Sequence, residues 1–191
     1  MISTIPERHC ESELFHILSW GSGKRYYREE ELHSNIIAWL FHPNESHGLG
    51  AKFTQAIFDR IKADISLGSD YAVDREASKT KDSRYRKADI TIGNDREYVA
   101  IENKWNAKLG HEQMPATYKR FKSKAKNRRF TYIVLARSSS INIDKGVPHI
   151  LTSYSVFCDV LRELLPFLKK GLPAMLLSEY VTLLSEKAPK W

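Results

Sequence analysis

The stretch AIENKWNAK, residues 100–108, contains the residues of this sequence with the clearest chemical potential. Glu102 and Lys104 are one residue apart, so in an extended strand their side chains project from the same side. A carboxylate and an ammonium group held together in this way form either a surface ion pair or part of a site for a cation and a phosphate. The neighbouring segments decide between these two interpretations.

A third charged residue, Asp89, lies in the preceding strand-like segment RKADITI. This segment and EYVAIENK are separated by GNDR, whose Asn-Asp pair suits a tight hairpin. Strand alternation predicts a core face for both segments, made by Ala88, Ile90, Ile92, Val99 and Ile101. Asp89 then projects from the opposite face, together with Glu102 and Lys104, and the β-carbons of the two acids are about 5 to 8 Å apart.

Two carboxylates at this separation can bind one hard cation, whose oxygen ligands lie at about 2.0 to 2.6 Å. Lys104 could orient or deprotonate an attacking water, or stabilise charge on a pentavalent phosphate. These residue types therefore suit metal-assisted hydrolysis of a phosphodiester bond. The Glu-x-Lys triplet alone is weak evidence, because about one is expected by chance in a chain of this length. The matching Asp89 and the basic helix that follows strengthen the interpretation.

The elements that must position these residues follow the order αααβββαβαα. Helices are predicted over residues 10–20, 28–42, 51–65, 114–127, 155–170 and 173–186, and strands over 71–77, 86–92, 97–104 and 130–137. This order predicts an α/β fold with a mixed central sheet of about four to five strands, flanked by helices. We expect one domain over residues 1–191, with a core over 29–137 and a helical C-terminal part over 153–187.

The charge distribution favours an anionic partner. The chain has 30 Lys and Arg against 23 Asp and Glu, a net charge of +7, and no acidic residue occurs between Gln113 and Ile143. A solvated helix face is the alternative interpretation of either basic cluster alone. Because two clusters flank one site, we expect phosphate contacts from Arg84, Arg86, Lys87, Lys119, Arg120, Lys122, Lys124 and Lys126.

Several classes of protein are disfavoured. The N-terminus lacks the apolar core of a signal peptide, and no run reaches the roughly 18 apolar residues of a membrane span. We therefore expect a cytoplasmic protein without a membrane partner. Cys10 and Cys158 are far apart and have no CxxC or Cys/His spacing, so neither a disulfide framework nor a zinc site is indicated.

Two longer stretches resemble a known family. KADITIGNDREYVAIENK resembles the motif of the PD-(D/E)XK nuclease superfamily, with Asp89, Glu102 and Lys104 in the signature positions and Ala88 in place of the proline. LHSNIIAWLFHPNESHGLGAKF resembles the N-terminal helix and loop of a subgroup with an LHS start, an AWL core and an SHGLG loop. The resemblance extends roughly over residues 29–137.

The resemblance implies a restriction-endonuclease-like fold and assigns roles to residues. Asp89, Glu102 and the backbone carbonyl of Asn103 would bind Mg²⁺ or Mn²⁺, and Lys104 would be the catalytic lysine. The further site residues that it implies are Glu31, Glu76 and Gln113, with His33 and His47 as candidates that are more often packed than catalytic. The tyrosine expected four residues after the glutamine is Thr117 here, and Tyr118 follows one position late.

We therefore expect a divalent-metal-dependent nuclease, namely a DNA endonuclease of a restriction-like, phage-defence or mobile-element system. The alternatives are a non-catalytic nucleic-acid-binding module on the same fold and a structural partner in a larger complex. The residues do not distinguish DNA from RNA. A homodimer would suit cleavage of both strands, although the sequence does not require one.

Overall fold

A computed structural model of the 191-residue chain describes residues 29–75, 88–105, 113–138, 141, 143–168 and 170–188. The helices among these residues are α1 (Glu29–Phe41), α2 (Lys52–Arg60), α3 (Gln113–Ala125), α4 (Tyr154–Leu164) and α5 (Leu172–Lys187), with a 3₁₀ turn at Leu165–Phe167. The strands are β1 (Ala72–Arg75), β2 (Ile90–Gly93), β3 (Glu97–Lys104), β4 (Arg129–Ala136) and β5 (Ile150–Ser153). The helix predicted over residues 10–20 lies outside the described residues.

The strands form one mixed sheet in the order β1-β2-β3-β4-β5. β1, β2 and β3 are antiparallel neighbours, whereas β4 and β5 run parallel to β3. The hairpin between β2 and β3 pairs Ile90 with Ile101, so the start of β2 lies beside the end of β3. The expected α/β fold class with a five-stranded mixed sheet is confirmed.

Helices cover both faces of the sheet. On one face Ile90, Ile92, Val99 and Ile101 pack into the main core with α1, α2, α4 and α5. On the other face α3 places Met114 and Phe121 against a smaller cluster that contains Ala100, Tyr132 and Val134. The alternation predicted for β3 is therefore confirmed, and the side of Glu102 is the α3 side.

Ala88 departs from the predicted alternation. It packs in the smaller cluster on the α3 side, not with Ile90 and Ile92 in the main core. The reason is that β2 begins at Ile90 and the backbone bends at Asp89, which interrupts the two-residue period.

One strand and several element bounds also differ from the prediction. The strand β5 was not predicted, because ILTS is too short to be distinguished from a loop by its period. Helix α2 ends at Arg60 and not near 65, because Lys62 adopts a left-handed φ of 54°. The Lys62 and Ala63 amides donate to the Asp59 and Phe58 carbonyls, which caps the helix end.

None of the helices in the described part of the chain combines the length and the apolar character that crossing a membrane requires.

Candidate nuclease site

The site lies at the carboxyl end of β3, on the face covered by α3. Glu102 and Lys104 project from this face, and Lys104 Nζ is 2.8 Å from Glu102 Oε1. Gln113, the first residue of α3, donates from Nε2 to the same oxygen at 2.7 Å. The Glu102 side chain is 1% exposed and that of Lys104 is 8% exposed, so this is a buried pair and not the surface ion pair that the sequence left as an alternative.

Asp89 reaches the same place from the bend that precedes β2. Its Oδ2 accepts a hydrogen bond of 2.7 Å from the backbone N–H of Asn103, the residue between Glu102 and Lys104. Its backbone carbonyl accepts a hydrogen bond of 3.1 Å from Arg75 Nη1. The fold therefore brings together the three charged residues predicted from the sequence. Asp89, however, lies at a bend before β2 and not in a regular strand position paired with β3.

Burial makes the charges of this site interact strongly. Burial, the largest cause, and then the charge of Asp89 together raise the pKa of Glu102 to about 8, against the opposing effect of Lys104. Burial by itself lowers the pKa of Lys104, but attraction by Glu102 and Asp89 outweighs this effect and raises the pKa. Two acids thus share one ammonium group, which leaves excess negative charge when all three are ionised.

The donor set fits a hard cation. Glu102 Oε1 is engaged by Lys104 and Gln113, whereas Glu102 Oε2 is buried and has no hydrogen-bond partner among the described residues. The N–H and C=O of one strand residue point to the same edge, so the Asn103 carbonyl also faces Asp89. No cluster of three or more His, Cys, Asp or Glu side chains occurs in the described part of the chain. Mg²⁺ does not need one, because it commonly uses one or two carboxylates together with water and phosphate.

Helix α1 supplies a further acid, Glu30, whereas a role of Glu31 in the site stays a prediction. Glu30 Oε1 accepts a hydrogen bond of 3.2 Å from the backbone N–H of Trp105, and its charge acts on Glu102 and Lys104. The Glu31 carbonyl, by contrast, is 3.5 Å from Arg75 Nη2 on the β1 side. Glu30 was not among the site residues predicted from the sequence, in which Glu29, Glu30 and Glu31 follow one another.

Both candidate histidines are buried in the fold. His47 Nε2 donates to the His42 carbonyl at 2.9 Å, and Nδ1 accepts from the Leu49 amide at 3.0 Å. His47 therefore fastens the loop between α1 and α2. The His33 ring stacks on Trp105 with centroids 3.6 Å apart, and its Nδ1 is 2.9 Å from the Tyr180 hydroxyl. These contacts favour packing roles for both, and place Trp105 in the core at the end of the sheet.

The predicted phosphate-binding residues divide into two groups. Arg84, Arg86 and Lys87, together with the acid Glu76, lie outside the described residues. On α3, Lys119 and Lys122 are exposed, Arg120 and Lys124 are half-buried, and Lys126 is exposed just beyond the helix end. Burial and the neighbouring charge of Arg120 lower the pKa of Lys124, as expected where cations crowd together.

Two arginines of the acid-free segment have structural partners. Arg128 Nη2 donates to the Lys124 carbonyl at 3.0 Å and its guanidinium lies over the Tyr98 ring. Arg129 Nε donates to Glu97 at 3.0 Å, and the same residue pairs with Asp64. The solvent-exposed positive charge of the acid-free segment therefore comes mainly from α3.

Comparison with known proteins agrees with this geometry. A family model described as the PD-(D/E)XK nuclease superfamily matches residues 22–180, which includes every element from α1 to most of α5. Searches of curated proteins and of solved structures found no significant match. The narrower subgroup with the SHGLG loop stays a prediction. Because the family match covers most of the chain and the signature acids and lysine meet at the end of β3, this chain belongs to the PD-(D/E)XK nuclease superfamily.

Proposed function

We propose that the protein is a divalent-metal-dependent nuclease, and that its substrate is DNA cut at internal phosphodiester bonds. The observation that carries the proposal is the buried Glu102–Lys104 pair beside Asp89 at the end of β3. A buried acid and amine with a second, half-buried acid beside them are costly for folding, and a phosphate-cleaving site is a function that needs them.

The proposed roles follow from the contacts. Asp89, Glu102 and the Asn103 carbonyl would hold Mg²⁺ or Mn²⁺, which when bound polarises the phosphoryl group and activates water. Lys104 is held by Glu102, and its raised pKa favours the protonated form. It would therefore donate hydrogen bonds to the attacking water and stabilise charge on the phosphate, which is favoured over proton abstraction. Gln113 would keep Glu102 in position by its hydrogen bond of 2.7 Å.

The basic face of α3 supports a nucleic-acid substrate. Gln113 at the start of this helix contacts Glu102, so the helix leads away from the site. The exposed Lys119 and Lys122 lie on it, and the exposed Lys126 follows directly after its end. Lysines contact the backbone phosphates of nucleic acids independently of base sequence. A restriction-like, phage-defence or mobile-element role is proposed from the family resemblance alone.

The test compares wild type with Lys104→Ala on circular single-stranded DNA, supercoiled duplex DNA and circular RNA, each with Mg²⁺ and with a chelator. We expect wild type to cut circular DNA only with Mg²⁺, and Lys104→Ala to lose at least about 100-fold in rate, since its ammonium stabilises transition-state charge. Lys52→Ala, which removes an exposed lysine from α2, is the matched control and should cut normally. Nicked or linear product then reports the number of strands cut.

Other outcomes have defined meanings. Binding without cleavage, indifferent to Mg²⁺, would favour the non-catalytic nucleic-acid-binding module. Cleavage of RNA but not of DNA would change the substrate and keep the mechanism. Cleavage in the presence of chelator, or undiminished cleavage by Lys104→Ala, would contradict the proposed mechanism.

A further inference from the structure

Tyr132, on β4, lies at the base of the candidate site. In the parallel pairing of β3 and β4 it is opposite Ala100, and Val134 is opposite Glu102, so its side chain is on the α3 face. The apolar cluster to which its ring belongs also contains residues close in the chain to Asp89, Glu102 and Gln113. These cluster members are Ala88 beside Asp89, Ala100 two residues before Glu102, and Met114 beside Gln113.

The hydroxyl of Tyr132 has an unusual environment. The residue is 2% exposed, and its hydroxyl has no hydrogen-bond partner among the described residues. Buried hydroxyl groups normally have a partner, and phenylalanine would fill the same space without an unsatisfied group. Packing alone therefore does not explain a tyrosine at this position.

A matching acceptor is present on the same face. Glu102 Oε2 is also buried and without a hydrogen-bond partner among the described residues, while Glu102 Oε1 is engaged by Lys104 and Gln113. Burial raises the pKa of Tyr132, and the charges of Glu102 and Asp89 raise it further, so the phenol stays protonated and remains a donor. An unsatisfied donor and an unsatisfied acceptor thus occupy the same buried region.

We propose that Tyr132 is a positioning residue of the cation site, whose hydroxyl acts through water on the second carboxylate oxygen of Glu102. The proposal rests on the nuclease function proposed above. Groups that hydrogen-bond to a metal-binding carboxylate fix its orientation, and their loss typically weakens metal binding about 10- to 100-fold. Tyr132 would hold Glu102 Oε2 in the orientation that a cation needs.

Tyr118 provides a matched comparison. It lies in the same region, with its ring 6.0 Å from that of Tyr132 in an edge-on arrangement, but it is half-buried and packs under Lys122 at 5.6 Å. Of the two tyrosines, Tyr132 is the one whose hydroxyl is enclosed with the acids. Tyr118→Phe removes the same atom from a neighbouring, half-buried ring.

The experiment measures Mn²⁺ affinity of the full chain by the electron paramagnetic resonance signal of free Mn²⁺, together with thermal melting without metal. For Tyr132→Phe we expect an unchanged or higher melting temperature and an Mn²⁺ Kd raised about 10-fold or more. Tyr118→Phe should leave the Kd unchanged. A purely structural tyrosine would lower the melting temperature without changing the Kd.

Two results would overturn the inference. If wild type binds Mn²⁺, if Glu102→Gln weakens this binding, and if Tyr132→Phe binds as wild type does, then Tyr132 has no positioning role and the nuclease proposal stands. If wild-type protein does not bind Mn²⁺ at all, both proposals fail together. A raised Kd in Tyr132→Phe with a normal melting temperature would support the inference, because this variant keeps the ring and its packing.

Discussion

At the scale of single residues, the site is defined by charges that folding alone does not favour. Glu102 and Lys104 are buried and contact each other, and the charge of Asp89 acts on both. A buried ion pair gains little over apolar side chains of similar size, because desolvation offsets the attraction. The second acid makes the arrangement less favourable still without a cation. These residues are therefore better explained by chemistry than by stability.

His47 shows the opposite case, a titratable residue with a structural role. Burial lowers its pKa below 6.5, so protonation favours the unfolded chain. The stability that neutral His47 contributes is therefore present above about pH 6.5, its pKa in the unfolded chain. It is lost as the pH falls through the lower pKa that His47 has in the folded state. We expect the melting temperature to fall between pH 7 and pH 5 in wild type, and to fall less in His47→Gln. His42→Gln, which changes a half-buried histidine of the same loop, is the control. Equal pH dependence of wild type and His47→Gln would contradict this role.

At the scale of elements, the docking of α1 on the sheet sets the geometry of the site. Arg75 on β1 donates from Nε to Asn35 of α1 at 2.8 Å and from Nη1 to the Asp89 carbonyl at 3.1 Å. Asn103 on β3 donates from Nδ2 to Ser34 at 2.6 Å and accepts from the Tyr154 hydroxyl. The strands that carry the acids are therefore fixed to α1 and α4 by buried polar contacts.

Arg75→Lys tests this coupling. Lysine keeps the charge but cannot reproduce the planar fork that reaches Asn35 and Asp89 together. We expect a loss of about 1 to 3 kcal/mol of unfolding free energy, because buried partners lose their hydrogen bonds. Chemical denaturation measures this loss. Arg60→Lys changes an exposed arginine that pairs with Glu163 and should alter stability little.

The same variants also test whether Arg75 positions Asp89. At a temperature where Arg75→Lys is fully folded, its Mn²⁺ affinity should still be weaker than that of wild type, because the backbone of Asp89 is less constrained. If folded Arg75→Lys binds Mn²⁺ as tightly as wild type does, then Arg75 stabilises the fold but does not position Asp89.

At the scale of the whole molecule, the two faces of the sheet differ in the charge of their helices. Helix α3 and its C-terminal end carry five of the predicted phosphate-binding cations, whereas α1, α2, α4 and α5 enclose the larger apolar core. Binding of a phosphate backbone releases counterions in proportion to the phosphates neutralised. If about six cations contact phosphates, log K should fall with log salt at a slope near −5.

The contribution of α3 to this slope can be measured directly. Replacing three exposed lysines by glutamine, Lys119, Lys122 and Lys126, should reduce the slope by about 3 and weaken binding to all duplex sequences alike. The control replaces three exposed lysines outside α3, namely Lys52, Lys170 and Lys187. Fluorescence anisotropy with a labelled duplex, in chelator and at several salt concentrations, gives both slopes. If the two triple variants lose the same amount of duplex affinity and of salt slope, then α3 is not the specific surface that contacts the duplex.

The sequence by itself determined the elements with strong local patterns and the motif within them. The strand predicted over 97–104 has the bounds of β3, because its two-residue alternation extends over eight residues. The same alternation placed Glu102 and Lys104 on one side together with Asp89 of the preceding segment, and the family resemblance added Gln113. The fold brings Asp89 and Gln113 to this end of β3.

Only the tertiary structure decided features that depend on how elements dock. Three consecutive glutamates begin α1, and it is the docking of this helix on the sheet that brings the Glu30 carboxylate to the end of β3. The bend at Asp89 moved Ala88 to the other face, and the pairing of β4 with β3 enclosed the Tyr132 hydroxyl with the acids. Local periodicity determines which residues of one element share a face. Which other element packs against that face depends on contacts between residues far apart in the chain, so the local sequence does not reveal it.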